Sequence, residues 1–311
     1  MNPKVSVILP NYNHSAYLDE RIQSILNQTY TDFELIILDD CSPDNSLEVI
    51  QKYASHPKVS HIVANEKNSG STFIQWDKGI ELAKGEYIWI AESDDYASPD
   101  FLAKLMAHMG ADPQIVLGFS SLYWVDENSK IIRESPLKTY KFSPASSGEF
   151  FIKHNMLYGC HILNASSAVF KKSAIAQIPT DYKTYKGSGD YLFWIELAKQ
   201  GKVLKIEEPL DYFRIHSQKV TTNSVASGRQ FVEGHQIYMR LIELGYVKGL
   251  MRKTVPGFWL TRIEAEKNKF NSEEIYTQVR QLWEKEAGCP KIAKALYYMN
   301  GIIRTIIKKI I

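Results

Sequence analysis

The chain has 311 residues, 44% of them hydrophobic and 23% charged, with a net charge of +2. That balance belongs to a soluble globular protein of one large or two ordinary domains, and it offers no global field for nucleic acid. No apolar run reaches the roughly 18–20 residues that span a bilayer, and no secretory signal opens the chain. The cysteines Cys41, Cys160 and Cys289 lack metal-ligand spacing, so reduced thiols in a cytoplasmic protein are expected.

Residues 5–9 form a continuous apolar, β-branched run, the mark of a strand buried on both faces. It ends in Pro10-Asn11-Tyr12-Asn13, a turn rich in breakers. Ser15 is placed to cap a helix in which Leu18, Ile22, Ile25 and Leu26 recur at helical spacing while Asp19, Glu20 and Arg21 face outward. A second buried strand, 33–38, ends in Asp39-Asp40-Cys41-Ser42-Pro43-Asp44, and a helix follows over 46–54. A third strand covers 59–64, a polar loop holds Asn68-Ser69-Gly70, and a helix over 73–83 leads to Gly85 as a C′ glycine. A fourth strand, 87–91, runs into Glu92-Ser93-Asp94-Asp95 and then Ser98-Pro99-Asp100, which reads as a helix start capped by Ser98.

Four alternations of strand and helix with short loops force parallel strands. Each strand then delivers a polar loop to the same sheet edge, where open α/β sheets bind ligands. Three carboxylates within four residues, Glu92, Asp94 and Asp95, repel one another unless a cation neutralises them. The loops resemble a nucleotide site but contain neither GxGxxG nor a Walker loop, so phosphates must meet a metal and basic residues.

The middle of the chain predicts a strand over 115–124, a hairpin turn at 126–129 into 131–133, loop at 143–147, and a strand over 166–170. Gly187-Ser188-Gly189-Asp190 is a flexible loop ahead of a helix that stops at Gly201, followed by two strands, 203–206 and 210–215. Beyond about 230 the chain reads as helices. Residues 231–311 carry 14 Lys and Arg against 8 Asp and Glu, and the stretch from Ala295 is apolar with Arg304, Lys308 and Lys309 interspersed. That composition suits an interfacial helix and equally a helix packed on the domain.

Together, VSVILPNYNHSAYLDERIQSILNQTYTDFELIILDDCS, the Asn68-Ser69-Gly70 loop, ESDDYASPD, GSGD and FRIH, in that order over about residues 4–220, resemble the family 2 glycosyltransferases. The resemblance implies an α/β GT-A fold, a Rossmann-like, mostly parallel sheet flanked by helices. Residues 1–225 form that domain, with a nucleotide-binding half, 1–110, and an acceptor half, 111–225. Residues 226–311 are a helical, basic extension that associates with membrane or packs on the domain. The implied activity is metal-dependent, inverting transfer of a sugar from a nucleoside-diphosphate sugar, with UDP the expected nucleotide. The implied acceptor is a glycan or lipid-linked saccharide of a cell-surface polysaccharide pathway, at the cytoplasmic face of the inner membrane.

The resemblance also implies roles. Pro10, Tyr12 and Asn13 lie against the nucleobase, Asp40 bonds a base N–H, and Asp39 shapes the turn or reaches the ribose. Asn68, Gly70 and Ser93 complete the nucleotide site. The family signature Asp-x-Asp reads here Glu92-Ser93-Asp94, with Asp94 at the metal-binding place for Mn²⁺ or Mg²⁺ and His216 a second ligand. Glu92, Asp95 and Arg214 are expected around the diphosphate, and Asp190 matches the catalytic base. Taken singly, Asp190 also reads as a helix cap, His216 as a structural histidine, and Asn68 and Gly70 as a turn. Two other functions remain open at this point: a sugar-nucleotide-binding protein with little catalysis, and a nucleotidyltransferase.

Overall fold

The computed structural model describes residues 2–135, 145–215 and 220–310. A largely apolar run has no solvent face to offer, and β1 (Val5–Asn11) is buried at every position, Ser6 and Asn11 included. After it come α1 (Ser15–Leu26), β2 (Phe33–Asp39), α2 (Ser46–Gln51), β3 (Val59–Ala64), α3 (Thr72–Leu82) and β4 (Tyr87–Ile90). The middle contains β5 (Tyr96–Ala97), α4 (Phe101–Met109), β6 (Ile115–Val125), β7 (Ile131–Glu134), β8 (Ala145–Ser147), α5 (Gly148–Asn155), β9 (Ala168–Lys171), α6 (Gly189–Ala198) and β10 (Lys202–Arg214). The chain closes with α7 (Val220–Ala226), α8 (Arg229–Glu243), α9 (Met251–Ala265), α10 (Glu273–Ala287) and α11 (Pro290–Ile310).

Among the described residues the strands form one sheet in the order β3-β2-β1-β4-β9-β6-β10-β5, with β7 beside β6 and β8 beside β10. β1 is parallel to β2 and β4, β2 to β3, and β6 to β10. Only β9 reverses inside this block, antiparallel to both β4 and β6. The carboxyl ends of β1, β2, β4, β6 and β10 therefore reach one edge. Because β9 runs the other way, the segment ahead of it, Asn164–Ser167, arrives at that same edge. Alternation along β1 splits the core: Val5, Val7 and Leu9 pack with α1 and α4, and Ile8 packs with α3 and α6.

Several local expectations are corrected. Arg21 does not face out; it is fully buried, because it shares with Leu18, Ile22 and Ile25 the stripe that α1 turns to the core. Ser15 makes no cap bond, and the Asp44 carboxylate accepts the Ser15 N–H instead (2.9 Å). Helix α4 begins at Phe101 rather than at Ser98, and Gln28 Oε1 accepts the Leu102 N–H (2.9 Å) where a cap would act. Gly85 does not end α3. A Cβ there would lie 2.5 Å from the Ser6 nitrogen, so glycine permits the close approach of this turn to β1. Residues 145–147 of the expected loop form β8. The two strands expected over 203–215 are one, β10, and the ladder shifts register on either side of Pro209, which has no N–H to give.

The C-terminal helices share a core with the sheet. Phe231, Tyr238, Trp259 and Trp283 are buried in the same cluster as Trp76, Phe193 and Trp194. Trp283 stacks on Trp259 with ring centroids 5.1 Å apart and donates to the Phe231 carbonyl. The first half of α11 is packed on this domain through Lys294 to Glu264 and Asn300 to the Tyr158 hydroxyl.

Candidate active site

The β1 and β2 loops lock each other. Register pairs Asn11 with Asp39, and Asn11 Nδ2 donates to Asp39 Oδ1 (2.8 Å). Asp39 also accepts from the Ser42 N–H and hydroxyl (2.9 and 2.6 Å), so its carboxylate is spent on the turn. Asp40 is buried and takes donors from Asn65, the Ser69 N–H and hydroxyl, and Gln75. Asn68 donates to the Asp40 carbonyl and accepts the Gly70 N–H, and Gly70 adopts φ +72°, which a side chain disfavours. The expected bond from Asp40 to a base N–H thus meets a carboxylate already gripping the 65–75 loop. Pro10 is buried in β1, whereas Tyr12 is 47% exposed and Asn13 sits at φ 59° with its N–H on Ser42.

The acidic loop alternates like the strand before it. Ser93 and Asp95 are buried, while Glu92 and Asp94 are half-exposed. Ser93 bonds His14 Nδ1 (2.9 Å), tying this loop to the start of α1. Glu92 accepts from the Trp76 indole (2.9 Å), and burial, then repulsion from Asp94, pushes its carboxyl up to about 8. Asp95 accepts from the Arg214 N–H, Asn164 and the Ser166 hydroxyl (3.0, 2.6 and 2.9 Å). Asn164 reaches on to Asp211 (3.2 Å). Burial raises the proton affinity of both Asp95 and Asp211, and repulsion from Asp94 adds to it at Asp95, as repulsion from Asp95 does at Asp211. The opposing charge is Arg21, whose guanidinium lies 5.0 Å from the Trp89 ring and is drawn to Asp211, Asp95, Asp94 and Glu92.

Two residues expected at the diphosphate are used otherwise. Asp95 points inward and fixes the loop. Arg214 is fully buried, donating to the Asp94 carbonyl, the Asp126 carbonyl, Ser129 and Glu20 (2.8, 3.0, 3.1 and 2.5 Å), with the Tyr17 ring at 4.5 Å. Its donors shape the backbone that carries Asp94 and are not offered to a phosphate. His216 lies outside the described residues.

Asp190 is the second residue of α6, half-buried, with Oδ1 accepting the Tyr191 N–H (2.8 Å). Burial pushes its carboxyl up to about 6, only partly offset by backbone donors. The loop ahead of β9 links it to the acidic loop. Cys160, whose thiol feels the Asp190 charge, stands four residues before Asn164, which holds Asp95. That stretch reaches at most about 14 Å. From the other side, Trp76 of α3 bonds Glu92 and packs edge-on against Phe193 of α6.

The model of the family described as Glycosyl transferase family 2 matches residues 6–178, more than half the chain. The chain belongs to that family. It is 35% identical over 216 residues to an uncharacterized glycosyltransferase of Methanocaldococcus jannaschii, covering 68% of this chain and 71% of the relative. It is 28% identical over 288 residues to the poly(ribitol-phosphate) β-N-acetylglucosaminyltransferase TarP of Staphylococcus aureus, covering 88% and 84%. Among solved structures, S. aureus TarS 1-349 in complex with UDP-GlcNAc superposes with a TM-score of 0.69 at 19% identity, covering 94% of this chain and 83% of TarS. A Pyrobaculum calidifontis mannosyltransferase in complex with GDP-Man and Mn²⁺ superposes with a TM-score of 0.58 at 14% identity, covering 96% and 87%. The protein is a glycosyltransferase with the GT-A fold, and membership of this family removes the nucleotidyltransferase reading.

Three residues around this candidate site escaped the sequence reading: Arg21, Asp211 and Glu20. Arg21 alone left a signal, its helical spacing with Leu18, Ile22 and Ile25. The others acquire meaning only through partners 47 to 194 positions away.

Proposed function

We propose that this enzyme moves a sugar from a nucleoside-diphosphate sugar, of the UDP-N-acetylglucosamine class, to a hydroxyl of a cell-surface glycan or lipid-linked saccharide, inverting the anomeric carbon. The observation that carries this reading is a pair of partly buried carboxylates on two elements tied through Trp76: Asp94 on the acidic loop, and Asp190 at the start of α6 with proton affinity raised toward neutrality. The names of TarP and of the TarS complex support the choice of donor.

The oxygen-only acidic loop suits a hard divalent cation, Mn²⁺ or Mg²⁺, and repulsion among Glu92, Asp94 and Asp95 is what such an ion relieves. Among the described residues no three acidic, histidine or cysteine side chains converge into a ready cage, which suits an ion completed by phosphate oxygens. Asp94 would hold it, with Glu92 beside it, and His216 stays the second ligand that the resemblance implies; when bound it would supply Lewis-acid stabilisation of the departing diphosphate. Asp190 accepts the proton of the acceptor hydroxyl as that oxygen bonds to the anomeric carbon and the bond to phosphate breaks. Attack from the face opposite the leaving group inverts the centre. Exposed Tyr12, with Pro10 and Asn13 beside it, lies against the base. Asp39, Asp40, Asn68 and Gly70 hold the shape of that pocket wall.

A thermal-shift screen of nucleotide-sugars with and without Mn²⁺ tests the reading. The donor is expected to raise stability in a cation-dependent way, by about 2.7 kcal/mol at a hundredfold excess over its Kd. Uniform shifts for all nucleotides, or none, contradict it. Donor binding without UDP release marks a binding protein instead.

The same reading places α11 at the inner membrane. No helix among the described residues is long and apolar enough to cross a membrane. However, Ile292 and Met299, two turns apart on one face, are 58% and 56% exposed. Flotation with anionic liposomes is expected for the whole chain and is expected to weaken when 302–311 are removed. Equal flotation of the two contradicts this placement.

A further inference from the structure

Helix α8 belongs to the C-terminal extension, yet it holds the loop that carries Asp190. Glu233, buried in its second turn, accepts two successive backbone N–H groups, those of Lys186 (2.8 Å) and Gly187 (3.1 Å). A carboxylate gripping consecutive N–H groups fixes two peptide planes at once. A Cβ on Gly187 would press the Ser224 hydroxyl at 3.0 Å while leaving ordinary contact with Glu233. Farther along the same face, Arg240 pairs with buried Glu196 of α6 (3.1 Å), six residues beyond Asp190. Helix α8 is itself anchored by Phe231, Ile237, Tyr238 and Leu241 in the shared core. One helix thus holds α6 at its entry and along its length.

We propose that Glu233 is a positioning residue for the transfer reaction, fixing the 185–188 loop so that Asp190 meets the acceptor hydroxyl, and that the C-terminal extension is therefore part of the catalytic apparatus. This rests on the reading of Asp190 as the base. The geometry gives Glu233 two separable effects. Its oxygens hold the loop, and its negative charge raises the proton affinity of Asp190. Among the described residues the other titratable group that feels Asp190 is the Cys160 thiol from the loop ahead of β9, and beyond that thiol lies the Tyr191 hydroxyl, which donates to the Met156 carbonyl. Neither titrates in the range where Asp190 does, since burial raises both.

Wild type, Glu233→Gln, Glu233→Ala and Asp190→Asn are compared, as full chains with Mn²⁺, by UDP release from UDP-GlcNAc across pH and by ¹³C NMR titration of the Asp190 carboxyl. Glu233→Gln keeps one acceptor oxygen and loses the charge. The Asp190 titration and the acidic limb of the rate profile are both expected to move to lower pH. Glu233→Ala frees the loop, and kcat is expected to fall by on the order of 10²-fold with little change in KM for the donor. An Asp190 titration unmoved in Glu233→Gln overturns the proposal whatever the donor proves to be, and so does a wild-type kcat in Glu233→Ala. Wild-type turnover in Asp190→Asn instead removes the base reading on which the proposal rests, so the two failures are told apart.

Discussion

Replacing Asp190 with Asn is expected to lower kcat by roughly 10²–10⁴-fold, the usual contribution of a positioned general base. Donor KM should change little, because the proposed role of Asp190 lies on the acceptor side. The amide keeps the shape of the carboxyl and its bond from the Tyr191 N–H, but it has no oxygen able to take a proton. In the wild-type enzyme, activity should fall as pH drops through about 6, where burial has moved this carboxyl. The stability sign runs opposite to the kinetic one. A carboxyl whose folded proton affinity exceeds its unfolded value of 3.8 favours the native state at low pH, and that contribution is lost as pH rises from about 4 to about 6. At pH 7.5 the ionised Asp190 therefore costs stability, and Asp190→Asn should melt at or above the wild-type temperature while turning over slowly. A slow variant that also melts early would mean only a damaged fold.

Replacing Arg21 with Met is expected to cost about 3–5 kcal/mol in urea unfolding, the range seen when one member of a buried ionic group is removed. The volume is nearly kept, so the loss is electrostatic. Asp211 and Asp95 are buried, with Asp94 and Glu92 beside them, and Arg21 is the buried cation they attract, without a direct hydrogen bond to any of them. Adding Asp211→Asn to Arg21→Met should recover a substantial part of that loss, since the neutral amide needs no counter-charge and can still accept from Asn164. Unfolding of Arg21→Met at the wild-type urea concentration would contradict this role, as would a double variant no more stable than the single one.

These two residues also mark how far the sequence carries. The start of α6 at Gly189-Asp190 was legible because glycines, an acid and a helical stripe adjoin one another in the chain, whereas the role of Asp190 as base came only from the resemblance. The strands that deliver the loops were legible for a similar local reason, since runs such as 5–9 and 33–38 admit no solvent face. Arg21 was misjudged because a charged residue beside Asp19 and Glu20 reads as a polar face. What turns it inward is an acidic cluster assembled from the β4 loop and from β10. Arg214 shows the same limit in reverse. A basic residue at a strand end reads as a phosphate ligand until Glu20, Asp126 and Ser129 converge on it from distant positions. Residues 203–206 and 210–215 read as two strands, because propensity does not reveal that β6 tolerates a register shift opposite Pro209. Local patterning fixes elements, and long-range charge pairing fixes what the charged residues do.

On the proposed reading Asp94 serves the donor and Asp190 the acceptor, and titration calorimetry of UDP in the presence of Mn²⁺ separates them most directly. The Asp190→Asn enzyme should bind UDP as the wild type does, and the Asp94→Asn enzyme should bind at least tenfold more weakly, a loss of about 1.4 kcal/mol or more. Equal affinity in wild type and Asp94→Asn, or a loss in Asp190→Asn as large as that in Asp94→Asn, would contradict the assignment of the two carboxylates.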